Sequence, residues 1–144
     1  QRLAIIPDTV YNYRLGGGTS KYTPEMLNDF LCLYRFKKEM AQRYPMPQNA
    51  EYLMAVELKN IVLSWLEMCI QSGKYDKRAL HEETTRVCRL PEVQEAVQQN
   101  DFAVQEPNGI RKAIQESNVK YIEDFLAERI TAGKYRRFIK KILK

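Results

Sequence analysis

Residues 50–72 read AEYLMAVELKNIVLSWLEMCIQS, and this stretch decides the fold. Its polar positions Glu57, Asn60, Ser64 and Glu67 form one narrow stripe at helical spacing, and almost everything else is apolar. A helix that is apolar around most of its circumference must be covered on several sides, whereas a surface helix needs only one apolar face. Ile61, Val62, Trp65, Leu66, Cys69 and Ile70 are therefore expected at the centre of a helical core. The stretch has a clear stop in Gly73, the residue type that most readily takes the left-handed turn after a helix.

Outward from this centre the chain continues in helical periods. On the amino-terminal side, YPMPQN at 44–49 breaks the pattern, because two close prolines disfavour helix before them. Ahead of it, the spacing predicts a helix from Pro24 to about Arg43, with Thr23 as a capping hydroxyl and Pro24 in the first turn. Leu27, Phe30, Leu31 and Tyr34 keep the i, i+3, i+4, i+7 spacing of a buried stripe, and Met26, Leu33, Phe36 and Met40 widen it. On the other side, Asp76 can cap a third helix ending near Cys88, and Pro91 can open a short fourth through about Asn100. The EPNG turn at 106–109 leads to a fifth. Ser117-Asn118 separates it from a sixth bearing Val119, Ile122, Phe125, Leu126 and Ile130. The expected fold is mainly α: a bundle of five to six helices over residues 23–144, preceded by a short extended or β amino-terminal segment over residues 1–22.

The 144 residues suit one domain of ordinary soluble composition, 44% hydrophobic and 28% charged. The net charge of +5 is concentrated at one end: KYRRFIKKILK, residues 134–144, holds six basic and no acidic residues. There Tyr135, Phe138, Ile139 and Ile142 follow helical spacing, while Arg137, Lys140, Lys141 and Lys144 follow it on the opposing side, with Arg136 adjoining. A basic amphipathic helix of this kind can lie in an anionic membrane interface, with Arg136, Arg137, Phe138, Lys140, Lys141 and Ile142 as its contacts. It can equally pack on the bundle with a solvated basic face. Three cysteines, Cys32, Cys69 and Cys88, without close pairing suit a reducing compartment, and all three read as core or near-core thiols.

Catalytic signatures are few. His81 has no second ligand at metal-binding spacing, and HEETT lacks the second histidine of a zinc-protease helix. Glu82-Glu83 and Glu123-Asp124 fall on helices, where solvated faces account for them. The run Gly16-Gly17-Gly18-Thr19-Ser20-Lys21 fails the Gly-Lys-Ser/Thr order of a phosphate-binding loop. A nucleic-acid module would use the basic tail and the nine tyrosines, yet the rest of the chain is electrically balanced and no such signature is present. No specific nucleic-acid partner is expected.

The opening residues carry the most specific pattern. Residues 1–22 place LAII and TVYNYR on either side of Pro7-Asp8, two short extended stretches that would be marginal as an isolated pair. With the chain opening at Gln1 directly on an apolar run, this reads as one edge of a larger sheet. The stretch IIPDTVYNYRLGGGTS resembles a segment of bacterial family-2 glycosyltransferases, enzymes with a GT-A catalytic domain. In them a late strand ends in Tyr-x-Tyr-Arg or Tyr-Tyr-Tyr-Arg and continues into a Gly-Ser or Gly-Thr loop. Tyr11, Tyr13 and Arg14 stand at the aromatic and arginine positions, Gly18 at the loop glycine and Thr19 at its hydroxyl residue. Gly16 departs from the commoner pattern, which has a second basic residue there.

The resemblance implies a parent enzyme that transfers a sugar, with inversion, from a nucleotide-sugar donor to a glycan or lipid-linked acceptor in surface polysaccharide synthesis. It also implies Mn²⁺ or Mg²⁺ held by an Asp-x-Asp motif and a carboxylate base, neither of which is among these residues. The fragment by itself is expected to be inactive. Tyr13, Arg14, Gly16, Gly17, Gly18 and Thr19 would then flank the donor diphosphate, Arg14 as a planar charged donor and the glycines as a loop that approaches phosphate closely. The helical remainder is similar to the carboxy-terminal extensions of such enzymes, and the implied location is the cytoplasm, peripheral to the inner face of the membrane. The alternative readings are a helical protein-interaction module and a nucleic-acid-binding module, with the glycines as a plain turn.

Overall fold

The computed structural model describes residues 23–98 and 109–142, with side chains in the last helix described through Lys134. Among the described residues six helices follow one another: α1 Met26–Arg43, α2 Ala50–Ser72, α3 Lys77–Cys88, α4 Pro91–Gln98, α5 Ile110–Gln115 and α6 Val119–Ile142. The mainly α bundle expected from the periodicity is present, and the extended segment expected over 1–22 lies outside the described residues.

The reason for the bundle is α2. Helices α1, α3, α4 and α6 all pack on it, and Val62 and Leu66 have 0% exposure, with Leu58, Trp65 and Cys69 also buried. Covering a side chain of this size contributes about 1.5–3 kcal/mol, so α2 is held by its neighbours far more than by its own helix propensity. Its end is set locally, as Gly73 takes φ 67°.

The other boundaries follow from single polar groups. Asp76 accepts a hydrogen bond from the Ala79 amide at 2.8 Å and so caps α3. Thr84 is fully buried and satisfies its hydroxyl by donating to the Leu80 carbonyl at 2.8 Å. The Gln94 amide donates to the carbonyls of Cys88, at 2.7 Å, and Ile114, at 3.1 Å, tying the α3–α4 corner to α5. Ser117, at φ 51°, reverses the chain between α5 and α6, and Asn118 Oδ1 accepts from the Tyr121 amide.

Three expectations are corrected. Thr23 does not cap α1 with its hydroxyl: Glu25 occupies the capping position without a side-chain bond, and Thr23 instead offers its carbonyl to the Met26 amide at 3.2 Å. The basic tail is no separate final helix, because α6 runs unbroken through Gly133 to Ile142. Finally, only Leu27, Leu31 and Tyr34 of α1 are buried. Phe36 is 56% and Leu33 41% exposed, while Met26, Phe30 and Met40 are half-buried. One stripe of α1 rests on the core, Met26 packs at its margin, and Leu33 and Phe36 face outward.

Ion pairs accompany α1 in this orientation. Arg35 Nε donates to Glu92 at 2.6 Å and Lys38 pairs with Glu95, both on α4; Lys37 pairs with Glu57 on α2. Burial raises the Glu92 carboxyl, but its backbone hydrogen bond and Arg35 outweigh this and hold it below its usual range. Such surface pairs contribute about 0–1 kcal/mol each; they set the register of α1 more than the stability of the fold.

Candidate functional site

The outward side of α1 lies beside a flank of α2 that the described helices leave open. Leu53, Val56, Glu57, Asn60, Ile61, Ser64 and Met68 recur at helical spacing along that flank and, with Met26 and Phe30 of α1, line a groove of about 670 Å³. Met26 meets the Met68 end of α2, while Met40, Met46 and Pro47 meet the Ala50 end around a second concavity of about 420 Å³. The two helices are thus antiparallel. From Leu53 to Met68 the flank spans about 22 Å at the helical rise per residue. Its lining is apolar except for a carboxylate, an amide and a hydroxyl from Glu57, Asn60 and Ser64, and the Glu57 carboxylate is engaged by Lys37.

This groove was not read from the sequence as a site. Glu57, Asn60 and Ser64 were legible as a polar stripe, but the exposed Leu53 beside them, at 54%, is the signal that the stripe borders an apolar surface and not open solvent.

The other expected positions distribute as follows. Tyr11, Tyr13, Arg14, Gly16, Gly17, Gly18 and Thr19 lie outside the described residues. Arg136, Arg137, Phe138, Lys140, Lys141 and Ile142 are on α6, beyond the last described side chain. Along α6, Val119, Ile122, Leu126 and Ile130 are buried, whereas Thr131, Ala132 and Lys134 are exposed.

His81 faces Glu123 of α6, Nδ1 to Oε1 at 3.3 Å, a pair that is ionic only when the imidazole is protonated, and Arg129 Nε forms an ion pair with Glu67 Oε1 at 2.7 Å; both contacts lie outside hydrogen-bond alignment. Glu82 pairs with Arg78 and Glu83 with Arg86. Among the described residues no cluster of three or more histidine, cysteine or acidic side chains could hold a metal ion, and no helix is long and apolar enough to cross a membrane.

The thiols divide between the two sides of the molecule. Cys69 and Cys88 are buried, and burial pushes their thiols up to about 12 and about 11. Cys32 is exposed, which corrects the expectation that all three are core thiols: its position on α1 lies between the buried Leu31 and the exposed Leu33. No family model, no curated protein and no solved structure matches this chain.

Proposed function

We propose that the chain is the carboxy-terminal region of a bacterial family-2 glycosyltransferase, an enzyme that moves a sugar from a nucleotide donor to a glycan or lipid-linked acceptor. The observation that carries the reading is the run Tyr11-Asn12-Tyr13-Arg14 followed by Gly18-Thr19, together with the helical bundle that follows it. In this reading Arg14 offers two parallel N–H donors to the departing diphosphate. Gly16, Gly17 and Gly18 supply a backbone without Cβ atoms that can close on the donor, and Tyr13 and Thr19 flank the same site. Mn²⁺ or Mg²⁺ and the base belong to the parent catalytic domain, so the helical domain on its own turns nothing over. The basic residues of α6, from Arg136 to Lys141, with Phe138 and Ile142, would rest on the anionic inner face of the membrane and hold the enzyme near a lipid-linked acceptor. The exposed residues after Ile130 support a tail that leaves the core.

The test is to assay the parent protein for metal-dependent sugar transfer or donor hydrolysis and to compare wild type with Arg14→Ala. Turnover that collapses in a folded variant supports the reading; a parent without a nucleotide-sugar domain ends it. The tail is checked separately by co-sedimentation of the 144-residue chain with phosphatidylserine and phosphatidylcholine vesicles. Binding to the former alone, lost in Lys140→Glu/Lys141→Glu, is expected.

A second reading, a helical protein-interaction domain, is favoured by the open apolar groove between α1 and α2. Binding of the chain to generic DNA with strong salt dependence would support neither reading and would favour a nucleic-acid role.

A further inference from the structure

We infer that the face shared by α1 and α2 is a self-association surface: a second copy of this chain packs on it, with α1 of each copy lying over α2 of the other. The inference stands whether or not the parent is a glycosyltransferase.

The exposed apolar side chains of the bundle are not scattered. Among the described residues, Leu33, Phe36, Met46 and Leu53 are 41–56% exposed, and all four line concavities between the two helices. Of the other large hydrophobics as open as these, Tyr44 directly follows α1 and only Tyr121 lies elsewhere, on α6. Single exposed apolar residues are ordinary on a monomer, but a contiguous patch of them marks a contact surface. With the half-buried and polar side chains between them, the face offers on the order of 800 Å² of accessible surface, which is what each partner contributes to a stable interface of standard size.

The spacing favours helices as the covering structure. Along α1, Met26, Phe30, Leu33, Lys37 and Met40 recur at intervals of four, three, four and three residues, and along α2 Leu53, Glu57, Asn60 and Ser64 recur at four, three and four. This alternation presents a straight seam to a helix running alongside. A second copy brings two antiparallel helices of the same length, one for each seam.

Charge selects the same partner. Lys37 and Glu57 pair with each other and so stand at one level of the face, one on each helix. A two-fold axis along the helices sets Lys37 of each copy over Glu57 of the other, so the four charges meet with alternating sign. An axis across the helices would lay α1 over α1, and a partner carrying one sign of charge at this level would leave Lys37 or Glu57 against its like. A copy of the face in the crossed arrangement does neither.

The experiment is sedimentation velocity on the full 144-residue chain over the micromolar range, where a reversible shift from one chain to two is expected. Leu53→Asp should remain a single chain with its helical circular dichroism signal unchanged. Lys37→Glu and Glu57→Lys should each weaken the association by about tenfold or more, because each sets like charges opposite one another. An equimolar mixture of these two variants should regain the association as a mixed dimer. A chain that stays single into the high micromolar range would overturn the inference. Association that survives Leu53→Asp would place the contact elsewhere and overturn it as well. A mixture that associates no better than its components would do the same, since α1 would then not lie over α2 of the partner.

Discussion

The two flanks of α2 carry the same kinds of residue and meet opposite fates. Toward α3, α4 and α6, Val62 and Leu66 have no exposure; toward α1, Leu53 keeps more than half of its surface. Hydrophobicity does not distinguish Leu53 from Leu66. What differs is how many neighbours the chain brings to each side. Among the described residues three helices close over one flank, and a single helix, paired to α4 through Arg35 and Lys38, lies beside the other.

The sharpest way to break the contrast is to truncate the sealed flank. Trp65→Ala should cost about 3–5 kcal/mol and Leu66→Ala about 2–5 kcal/mol in chemical denaturation, because the tightly packed surroundings cannot collapse into the space left. A loss under 1 kcal/mol at either position would mean that the flank is loosely packed.

Alkaline pH tests the same flank without changing its shape. Burial raises Cys69 to about 12 and Cys88 to about 11 from an ordinary value of 9.0, and on the α1 stripe burial, then Glu95, raises Tyr34 to about 12 from 10.0. The unfolded chain releases these protons first, so the stability they contribute is fully present below about pH 9. It is lost as pH rises through 11 to 12. The denaturation midpoint should fall steadily above about pH 9, and the slope should be shallower in Cys69→Ala; a midpoint flat to pH 11 would contradict the burial of these groups.

On the open flank the effects are smaller. Leu53→Ser should cost about 1 kcal/mol, less than a sealed leucine and more than the roughly 0.5 kcal/mol limit for a residue left to water. A cost above about 2 kcal/mol would mean that this flank is as tightly closed as the other. The smallest perturbation is chemical labelling: under native conditions one thiol, Cys32, should react promptly with a water-soluble thiol reagent. Cys69 and Cys88 should react only as the domain opens, and three equally fast thiols would erase the distinction between the flanks.

The parts of the fold legible in the sequence are those set by neighbouring residues. The bounds of α2 follow from Pro47 and Gly73, and the start of α3 from Asp76. The division between α5 and α6 follows from Ser117-Asn118. What was not legible depends on residues far apart. Periodicity marks Leu33 and Phe36 as members of an apolar face, but whether that face meets another helix is decided by where the other helices lie, and both side chains stay exposed. The same holds for Cys32, whose neighbours in sequence are apolar while its neighbours in space are few. The continuity of α6 is another case: Gly133 weakens a helix yet does not end this one. Of the candidate sites, the glycine run was legible only as a pattern in residues 1–22, and the groove only once two helices were placed side by side.

The uninterrupted α6 makes the core and the basic end of the chain parts of one mast. From Ile130, the last buried residue among the described side chains of α6, the helix runs twelve residues further to Ile142, roughly 18 Å at the helical rise. A restraint applied at its tip would therefore act on the bundle as torque about Ile130. Gly133, three residues beyond that fulcrum and with nothing within 4 Å of where a Cβ would sit, is the compliant joint through which that torque would be felt or relieved.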